Sequence, residues 1–369
     1  MNTETQKRLA IFLPSLVGGG AEKSMVRLAN GLAARGKPVD LVLAQAKGPY
    51  LDAVSDQVRM IDLKASRVLT GFPALLRYLR RERPHAMLSA LDFASIVLLW
   101  ARRLTGIPRI VAVNEQNTIS ISSTRSRQMR QRLVPRLMRF FYPWADHLSG
   151  NSSGVADDLA VVTGLPRSRI QVVYNPVVTP ELLARIKEPL KHPWYEAGQP
   201  PVFVAVGRLT EQKDFPTLIR AFAEVRQKHV ARLLILGEGR DRSDLESLVK
   251  SLNLEQDVSL FGFVDNPYAF MTRSVAFVLS SRWEGLPTVL IEALACGVPV
   301  IATNCPSGPD EILAGGKYGL LVPVQDVAAL AEAMRAALNG KISAPPSESW
   351  LPYEQENIVS QYSRILEGQ

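Results

Sequence analysis

Short, nearly continuous apolar runs alternate along the chain with segments whose apolar positions repeat at helical spacing. "RLAIFLP" leads into "AEKSMVRLANGLAARG"; "PVDLVLA" and "VRMIDL" follow, then a helical segment around "ALLRYLRRER", then "HAMLSA" and "RIVAVN". "HLSGNS", a helix through "GVADDLAVVTG" and "IQVVYNP" complete this half. Apolar runs without alternation suit strands covered on both faces. Their regular separation by helices predicts a parallel sheet with helices on either side.

The rhythm pauses at "NPVVTPELLARIKEPLKHPWYEAGQPP", residues 175–201, which holds four prolines between Pro176 and Pro193 and two more at its end. It then restarts with "VFVAVGRL", "RLLILGEG", "VSLFGFV", "VAFVLSS", "PVIATN" and "GLLVPV", with helices between. The Pro-rich stretch is read as a linker. The expectation is an α/β protein of two similar doubly wound domains, 1–180 and 181–351, facing each other across a cleft. Sheets of this kind bind ligands beyond the carboxyl ends of their strands.

Those ends carry the candidate chemistry. The first strand runs into "LVGGGAEKS", where Gly18, Gly19 and Gly20 allow a sharp turn and close approach of a ligand. A helix is expected to open at Ala21 behind them, its free N–H groups aimed the same way. The spacing matches neither the dinucleotide fingerprint nor a Walker loop, and a plain tight turn explains the glycines equally well. In the second half "VGRLTEQKD" places Arg208 and Lys213 five apart, just past a strand and before a helix near Asp214. A guanidinium fork and an ammonium there suit a diphosphate. Two ordinary surface cations remain the alternative. "FVLSSRWEGLPTVLIEALACG" then ends a strand near Ser280, sets Glu284 in a loop, and starts a helix at Pro287 that carries Glu292. The helix end, with the backbone at Gly285, Leu286, Pro287 and Thr288, is an anion site. Carboxylates accept hydrogen bonds from sugar hydroxyls. A nucleoside diphosphate sugar therefore fits as one object.

Composition narrows the partners. The length of 369 residues suits two domains, and 47% hydrophobic with 21% charged residues is the balance of a folded domain. No apolar stretch reaches the ~18–20 residues of a membrane span. The amino-terminal segment lacks a signal-peptide layout, and two cysteines, Cys296 and Cys305, make a disulfide framework implausible. A cytoplasmic protein is expected. The net charge of +8 is concentrated in "TRSRQMRQRLVPRLMRFFYPWAD", residues 124–146. Arg125, Arg127, Arg130, Arg132, Arg136 and Arg139 occur there without an acidic residue before Asp146. Met129, Leu133, Leu137, Met138, Phe140, Phe141 and Trp144 lie between and beyond them. A basic amphipathic segment with aromatic edges suits an anionic membrane surface. A solvated helix face is the competing reading. No nucleic-acid module is recognisable, so nucleic acid is not expected as a partner.

Glu284 and Glu292 match the E-x7-E signature of retaining glycosyltransferase family four, and the resemblance extends over nearly the whole chain. "GGGAEKS…LANGLAARGKPVDLVL", "ADHLSGNSSGVADDL" and "IQVVYNPV" resemble segments of that family's first domain. "VAVGRLTEQKD", "LLILGEG", "LFGFVDN", "EGLPTVLIEALACGVPVIAT" and "GLLVP" resemble its donor domain, in order. "NCPSGPDEIL" looks most like bacterial members that extend lipid-linked glycans for capsule, exopolysaccharide or O-antigen.

The resemblance implies the GT-B fold, in which the carboxyl-terminal helix, here within 352–369, crosses back to the first domain. It gives Glu292 the ribose hydroxyls and Glu284 the donor-sugar hydroxyls. Arg208 and Lys213 would take the diphosphate and stabilise the charge that grows as it leaves. Gly19 and Gly20 would close on it from the first domain, and Pro309–Glu311 would line the sugar pocket. Transfer with retention by front-face attack, giving an α-linkage, is expected, without a cofactor or bound metal. No D-x-D-like loop is evident; Asp157 and Asp158 fall inside a helix pattern. Many relatives carry a His where "VAVNEQNT" offers Asn114, Glu115, Gln116 and Asn117, of which Glu115 or Asn117 is the candidate contact to acceptor or sugar. The expected donor is a nucleotide sugar, uridine favoured over a GDP-mannose type. The expected acceptor is a polyprenyl-diphosphate-linked glycan at the inner face of the cytoplasmic membrane. A nucleotide-sugar epimerase and a non-enzymatic nucleotide- or lipid-binding protein are the alternatives.

Overall fold

The computed structural model describes residues 7–17, 19–125 and 129–368. The chain divides into two compact units, Met1–Val177 with Tyr353–Gln369, and Val178–Pro352.

The first unit is built on seven parallel strands: β1 (Leu9–Leu13), β2 (Val39–Leu43), β3 (Val58–Asp62), β4 (Ala86–Ser89), β5 (Ile110–Glu115), β6 (His147–Gly150) and β7 (Ile170–Val172). They lie in the order β3-β2-β1-β4-β5-β6-β7. "LAIFL" and "VDLVL" are buried throughout, as runs covered on both faces must be. One face packs against the helices Gly20–Ala34 and Gln355–Glu367. The other packs against helices that include Asp92–Thr105, Met129–Phe141 and Ser153–Thr163.

The charge inside β2 is compensated locally. Asp40, fully buried, accepts from Arg8 at 2.8 Å, from Arg59 at 2.7 and 2.9 Å and from the Tyr78 hydroxyl at 2.7 Å. Burial pushes its carboxyl up, and the Arg59 and Tyr78 hydrogen bonds with the two guanidinium charges bring it below the usual carboxylate range.

The crossing helix behaves as expected. Ile358, Val359, Tyr362 and Leu366 recur at helical spacing and are buried against the first sheet's core. Each such side chain contributes about 1.5–3 kcal/mol by leaving water. Ion pairs from Arg35 to Glu356 and from Lys37 to Glu367 flank the seam.

The second unit has six parallel strands: β8 (Val202–Val206), β9 (Arg232–Leu236), β10 (Val258–Gly262), β11 (Ala276–Leu279), β12 (Val300–Thr303) and β13 (Leu320–Val322). Their order is β10-β9-β8-β11-β12-β13. The chain steps outward from β8 to β10 and then returns to the other side of β8 as β11. The boundary between β8 and β11 is therefore the switch point, where the following loops diverge and leave a crevice. The helices Phe215–Arg226 and Val327–Leu338 pack together in its core.

The Pro-rich stretch is not the bare linker its composition suggests. From Val178 onward it belongs to the second unit. Thr179 caps a short helix, Pro180–Arg185, with Pro at its first position, where the missing N–H costs nothing. Arg185 pairs with Asp265 at 2.5 Å, and its carbonyl accepts from Asn266 at 3.0 Å. His192, Tyr195, Phe261 and Phe270 form an aromatic cluster behind it.

Candidate functional site

The loops after β8, β11 and β12, three neighbouring strands, converge at one edge of the second sheet. After β8 the chain runs through Gly207 and Arg208 into a single 3-10 turn, Glu211–Lys213. Asp214 follows with a left-handed backbone (φ 48°) and directs the chain into the helix Phe215–Arg226. After β11, Ser280 to Pro287 lead into the helix Thr288–Ala295. That helix opens one residue later than its sequence suggests, with Pro287 extended before it (ψ 90°).

The two loops are stitched together. Ser280 Oγ donates to the Lys213 carbonyl at 2.7 Å, and the Arg282 N–H to the Gln212 carbonyl at 2.8 Å. Arg282 also pairs with buried Asp214 at 3.0 Å. This scaffold sets Lys213 Nζ 2.6 Å from Glu284 Oε1, a largely buried ion pair. Ser281 Oγ donates to the same oxygen at 2.6 Å, and Gln212 Nε2 lies 3.4 Å from Oε2. Gly207 makes room for the lysine. A Cβ there would press on the Lys213 stem at 3.1–3.3 Å.

Behind Glu284, Gly285, Leu286 and Pro287 are buried and Thr288 is half-buried at the helix entrance. The loop after β12 closes on them. Ser307 Oγ donates to the Gly285 carbonyl at 2.8 Å. Gly308 has φ 94°, and a Cβ would stand 2.4 Å from the Pro287 ring, so only glycine fits without displacement. In the following turn Pro309 is buried, Asp310 exposed and Glu311 half-buried.

Glu292 lies just past the first turn of its helix, 5% exposed, and accepts from the Tyr268 hydroxyl at 3.2 Å. Tyr268 had no signal in the apolar pattern; it reads as one more core aromatic in "NPYAF". Arg208, by contrast, is exposed. Cys305, buried beside Glu284, has its thiol pushed up to about 12 by burial and then by that carboxylate. One edge thus gathers an exposed guanidinium, an ammonium, a helix N-terminus and two buried carboxylates. This set can hold a phosphate chain beside hydroxyl donors.

In the first unit Gly19 stands at the N-cap position of the helix Gly20–Ala34, which starts one residue earlier than read from sequence. Its backbone is extended (φ 174°), a conformation any residue adopts. Gly18 lies outside the described residues. At the end of β5, Asn117 is exposed while Asn114, Glu115 and Gln116 are buried. Asn114 donates to Ser149 Oγ at 2.9 Å, and Gln116 Oε1 accepts from Asn151 at 3.1 Å and Asn175 at 2.8 Å. Glu115 accepts from Tyr142 at 3.0 Å and from the Gln116 N–H at 3.1 Å. Its pKa is pushed up to about 8 by burial, helped by the Asp92 charge and opposed by these donors. Glu115 is thereby enclosed in the fold of this unit.

The arginine-rich stretch forms the helices Ile119–Arg125 and Met129–Phe141. Residues 126–128, Arg127 among them, lie outside the described residues. Val134, Met138 and Tyr142 face the core, while Met129, Leu133 and Phe140 are exposed, as are Arg132, Arg136 and Arg139. Phe140 packs edge-on against Trp144 with centroids 5.2 Å apart. Among the described residues, no helix is long and apolar enough to cross a membrane.

Comparison with known proteins agrees with this architecture. The model described as Glycosyltransferase Family 4 matches residues 18–180, and that described as Glycosyl transferases group 1 matches 187–354. An N-acetylgalactosamine-N,N'-diacetylbacillosaminyl-diphospho-undecaprenol 4-alpha-N-acetylgalactosaminyltransferase of Campylobacter jejuni is 29% identical over 90% of each chain. An uncharacterized glycosyltransferase of Methanocaldococcus jannaschii is 30% identical over 69% of this chain and 67% of its own. A lipopolysaccharide core biosynthesis glycosyltransferase of Rhizobium meliloti is 28% identical over 94% and 96%. Among solved structures, Anabaena HepE in complex with UDP and glucose superposes with a TM-score of 0.80 at 17% identity, over 98% of this chain and all of its own. A glycosyltransferase from Rickettsia africae gives 0.80 at 14% identity, over 99% and 98%.

Two Rossmann-like parallel sheets of this order, matched over nearly the whole chain by these solved structures, are the GT-B fold. The chain belongs to glycosyltransferase family four and is a glycosyltransferase; the Campylobacter and Rhizobium relatives are named for bacterial glycan biosynthesis.

Proposed function

We propose that this enzyme moves a hexose or N-acetylhexosamine from a UDP-sugar to a polyprenyl-diphosphate-linked glycan, forming an α-linkage. The observation that carries the reading is the Lys213–Glu284 pair at 2.6 Å on the switch point of the second sheet. It brings a phosphate-binding cation and a hydroxyl-binding carboxylate to adjoining positions. Lys213 has three N–H donors and can hold Glu284 with one while offering others to a phosphate. Arg208 adds a bidentate fork, and the N–H groups at Gly285–Thr288 add the positive end of a helix. Glu292, fixed by Tyr268, takes the ribose hydroxyls. Glu284 takes hydroxyls of the transferred sugar, beside the turn at Pro309–Glu311.

In the reaction the bond from the anomeric carbon to the diphosphate oxygen breaks. The acceptor hydroxyl oxygen bonds to that carbon from the same face, and its proton passes to the departing phosphate. Negative charge builds on the leaving group, and in this reading Arg208, Lys213 and the helix end stabilise it. Such preplaced donors are each worth about 3–4 kcal/mol of barrier. This scheme uses neither a cofactor nor a metal ion, so EDTA leaves turnover unchanged.

The lipid-linked acceptor is supported by the Campylobacter relative, whose name specifies a diphospho-undecaprenol substrate. The exposed arginines and apolar side chains of the helix Met129–Phe141 suit an anionic membrane surface and support a peripheral position at the inner face of the cytoplasmic membrane. Capsule, exopolysaccharide or O-antigen assembly is the setting. The test is turnover with UDP-N-acetylgalactosamine, UDP-N-acetylglucosamine, UDP-galactose, UDP-glucose and GDP-mannose, each with and without polyprenyl-diphosphate-linked sugar. Release of UDP only when the acceptor is supplied is expected. Release from none of the five contradicts the reading, and preference for GDP-mannose overturns the choice of base.

A further inference from the structure

Glu284 is held by more than its ion pair. Ser281, fully buried and three residues earlier in the same turn, donates its hydroxyl to Oε1 at 2.6 Å. Its own carbonyl accepts from Thr303 Oγ1 at 2.6 Å, tying that turn to the end of β12. From the neighbouring loop after β8, Gln212 Nε2 donates to the Trp283 carbonyl at 3.0 Å and lies 3.4 Å from Oε2. The carboxylate is thus approached by neutral donors on two different loops, in addition to Lys213.

The charges of these donors set their roles. A diphosphate drawn to Lys213 competes with Glu284 for the ammonium charge, and a carboxylate that depended on Lys213 alone would be loosened as the substrate arrived. Hydroxyl and carboxamide donors carry no net charge, are weakly drawn to phosphate, and stay with the carboxylate. We infer that Ser281 and Gln212 are positioning residues that hold the Glu284 carboxylate in register with the donor sugar while Lys213 serves the leaving group. The inference rests on the donor-site reading above and assigns two residues to which that reading gives no role.

The experiment compares Ser281→Ala and Gln212→Met with wild type, using whichever of the five nucleotide sugars wild type turns over fastest. Two quantities are read, kcat/KM for that nucleotide sugar and the Kd of its free nucleoside diphosphate. Loss of a hydrogen bond to a charged group predicts a fall in kcat/KM of about tenfold or more for Ser281→Ala. A fall of about fivefold is expected for Gln212→Met, whose contact is longer. The Kd for the free diphosphate stays within about twofold, because no group touching it has changed. In a Glu284→Ala background neither substitution costs more than about twofold further, since the group they hold is gone.

A purely architectural role would weaken diphosphate binding in step with turnover, and that result overturns the inference. So does kcat/KM within about twofold of wild type in both variants when Glu284→Ala lowers it strongly but measurably. Full turnover by Glu284→Ala overturns the donor-site reading instead. Gln212 is half-buried, so Gln212→Met remains informative if Ser281→Ala fails to fold.

Discussion

Lys213 and Glu284 stand 71 residues apart in sequence and 2.6 Å apart in the fold, brought together by the adjacency of β8 and β11. Arg208, on the same loop as Lys213, is exposed. The two cations therefore answer differently to removal. Arg208→Ala lowers kcat/KM by about 100-fold or more and leaves the melting temperature unchanged. Lys213→Ala lowers kcat/KM by a similar factor and also destabilises the protein by about 3 kcal/mol, because it leaves a buried carboxylate without its counter-charge. Steady-state kinetics and thermal denaturation of both variants check this; turnover within about threefold of wild type in either contradicts the leaving-group role.

Glu292 and Tyr268 make a second, separable pair. Removing the phenol hydroxyl with Tyr268→Phe leaves the carboxylate in place with one donor fewer, and UDP affinity falls by about fivefold. Glu292→Ala removes the proposed ribose acceptors themselves and weakens UDP by about 30-fold or more. Calorimetric titration with UDP reads both. Equal affinities for wild type and Glu292→Ala would remove this residue from the nucleotide site.

Glu115 gives the fold a pH dependence of known sign. Its pKa in the fold is about 8 against 4.5 for the free side chain, so the folded state binds a proton more tightly than the unfolded chain between those values. The contribution is fully present below pH 4.5 and is lost as pH rises through 8. Glu115→Gln keeps a polar side chain of the same length without the ionisation. Its stability relative to wild type rises by about 1 kcal/mol or more between acidic and mildly alkaline conditions, because a proton held only by the folded state costs up to ~1.4 kcal/mol for each step of one in pH. Urea denaturation below and above neutrality tests it, and parallel curves for the two proteins contradict the assignment.

The exposed side of the helix Met129–Phe141 is the proposed membrane contact. Wild type floats with vesicles containing anionic lipid at low salt, and less at high salt, since the Debye length shrinks from about 10 Å at 0.1 M to 3 Å at 1 M. Phe140→Asp reduces flotation at both salt concentrations by removing apolar insertion. Arg132→Gln with Arg136→Gln reduces it chiefly at low salt. No flotation of wild type under either condition contradicts the contact.

The strands and their parallel pairing were open to sequence chiefly where they are buried runs with no competing period, such as "LAIFL" in β1 and "VIAT" in β12; the edge strands β3 and β13 are partly exposed. The same holds for the final helix, whose apolar stripe names its buried face. Residues 175–201 misled for a physical reason. Proline density marks a break in regular structure but says nothing about packing, and this segment is pinned by side-chain contacts from Asp265, Asn266 and Phe270. At the site, the charged residues stood out because a carboxylate or guanidinium at a strand end is chemically conspicuous. Their supports did not. Tyr268 looks like core, and Ser281, Gln212 and Gly207 look like ordinary loop residues until tertiary distances single them out. Glu115 showed the converse, a conspicuous carboxyl at a strand end that folds inward onto Tyr142.

The most direct measurement is a crystal structure with UDP bound. The diphosphate is expected within hydrogen-bond distance of Arg208 and Lys213 at the entrance of the helix Thr288–Ala295, with the ribose hydroxyls on Glu292. A diphosphate bound away from Lys213, or a ribose that makes no contact with Glu292, would contradict the proposed donor site.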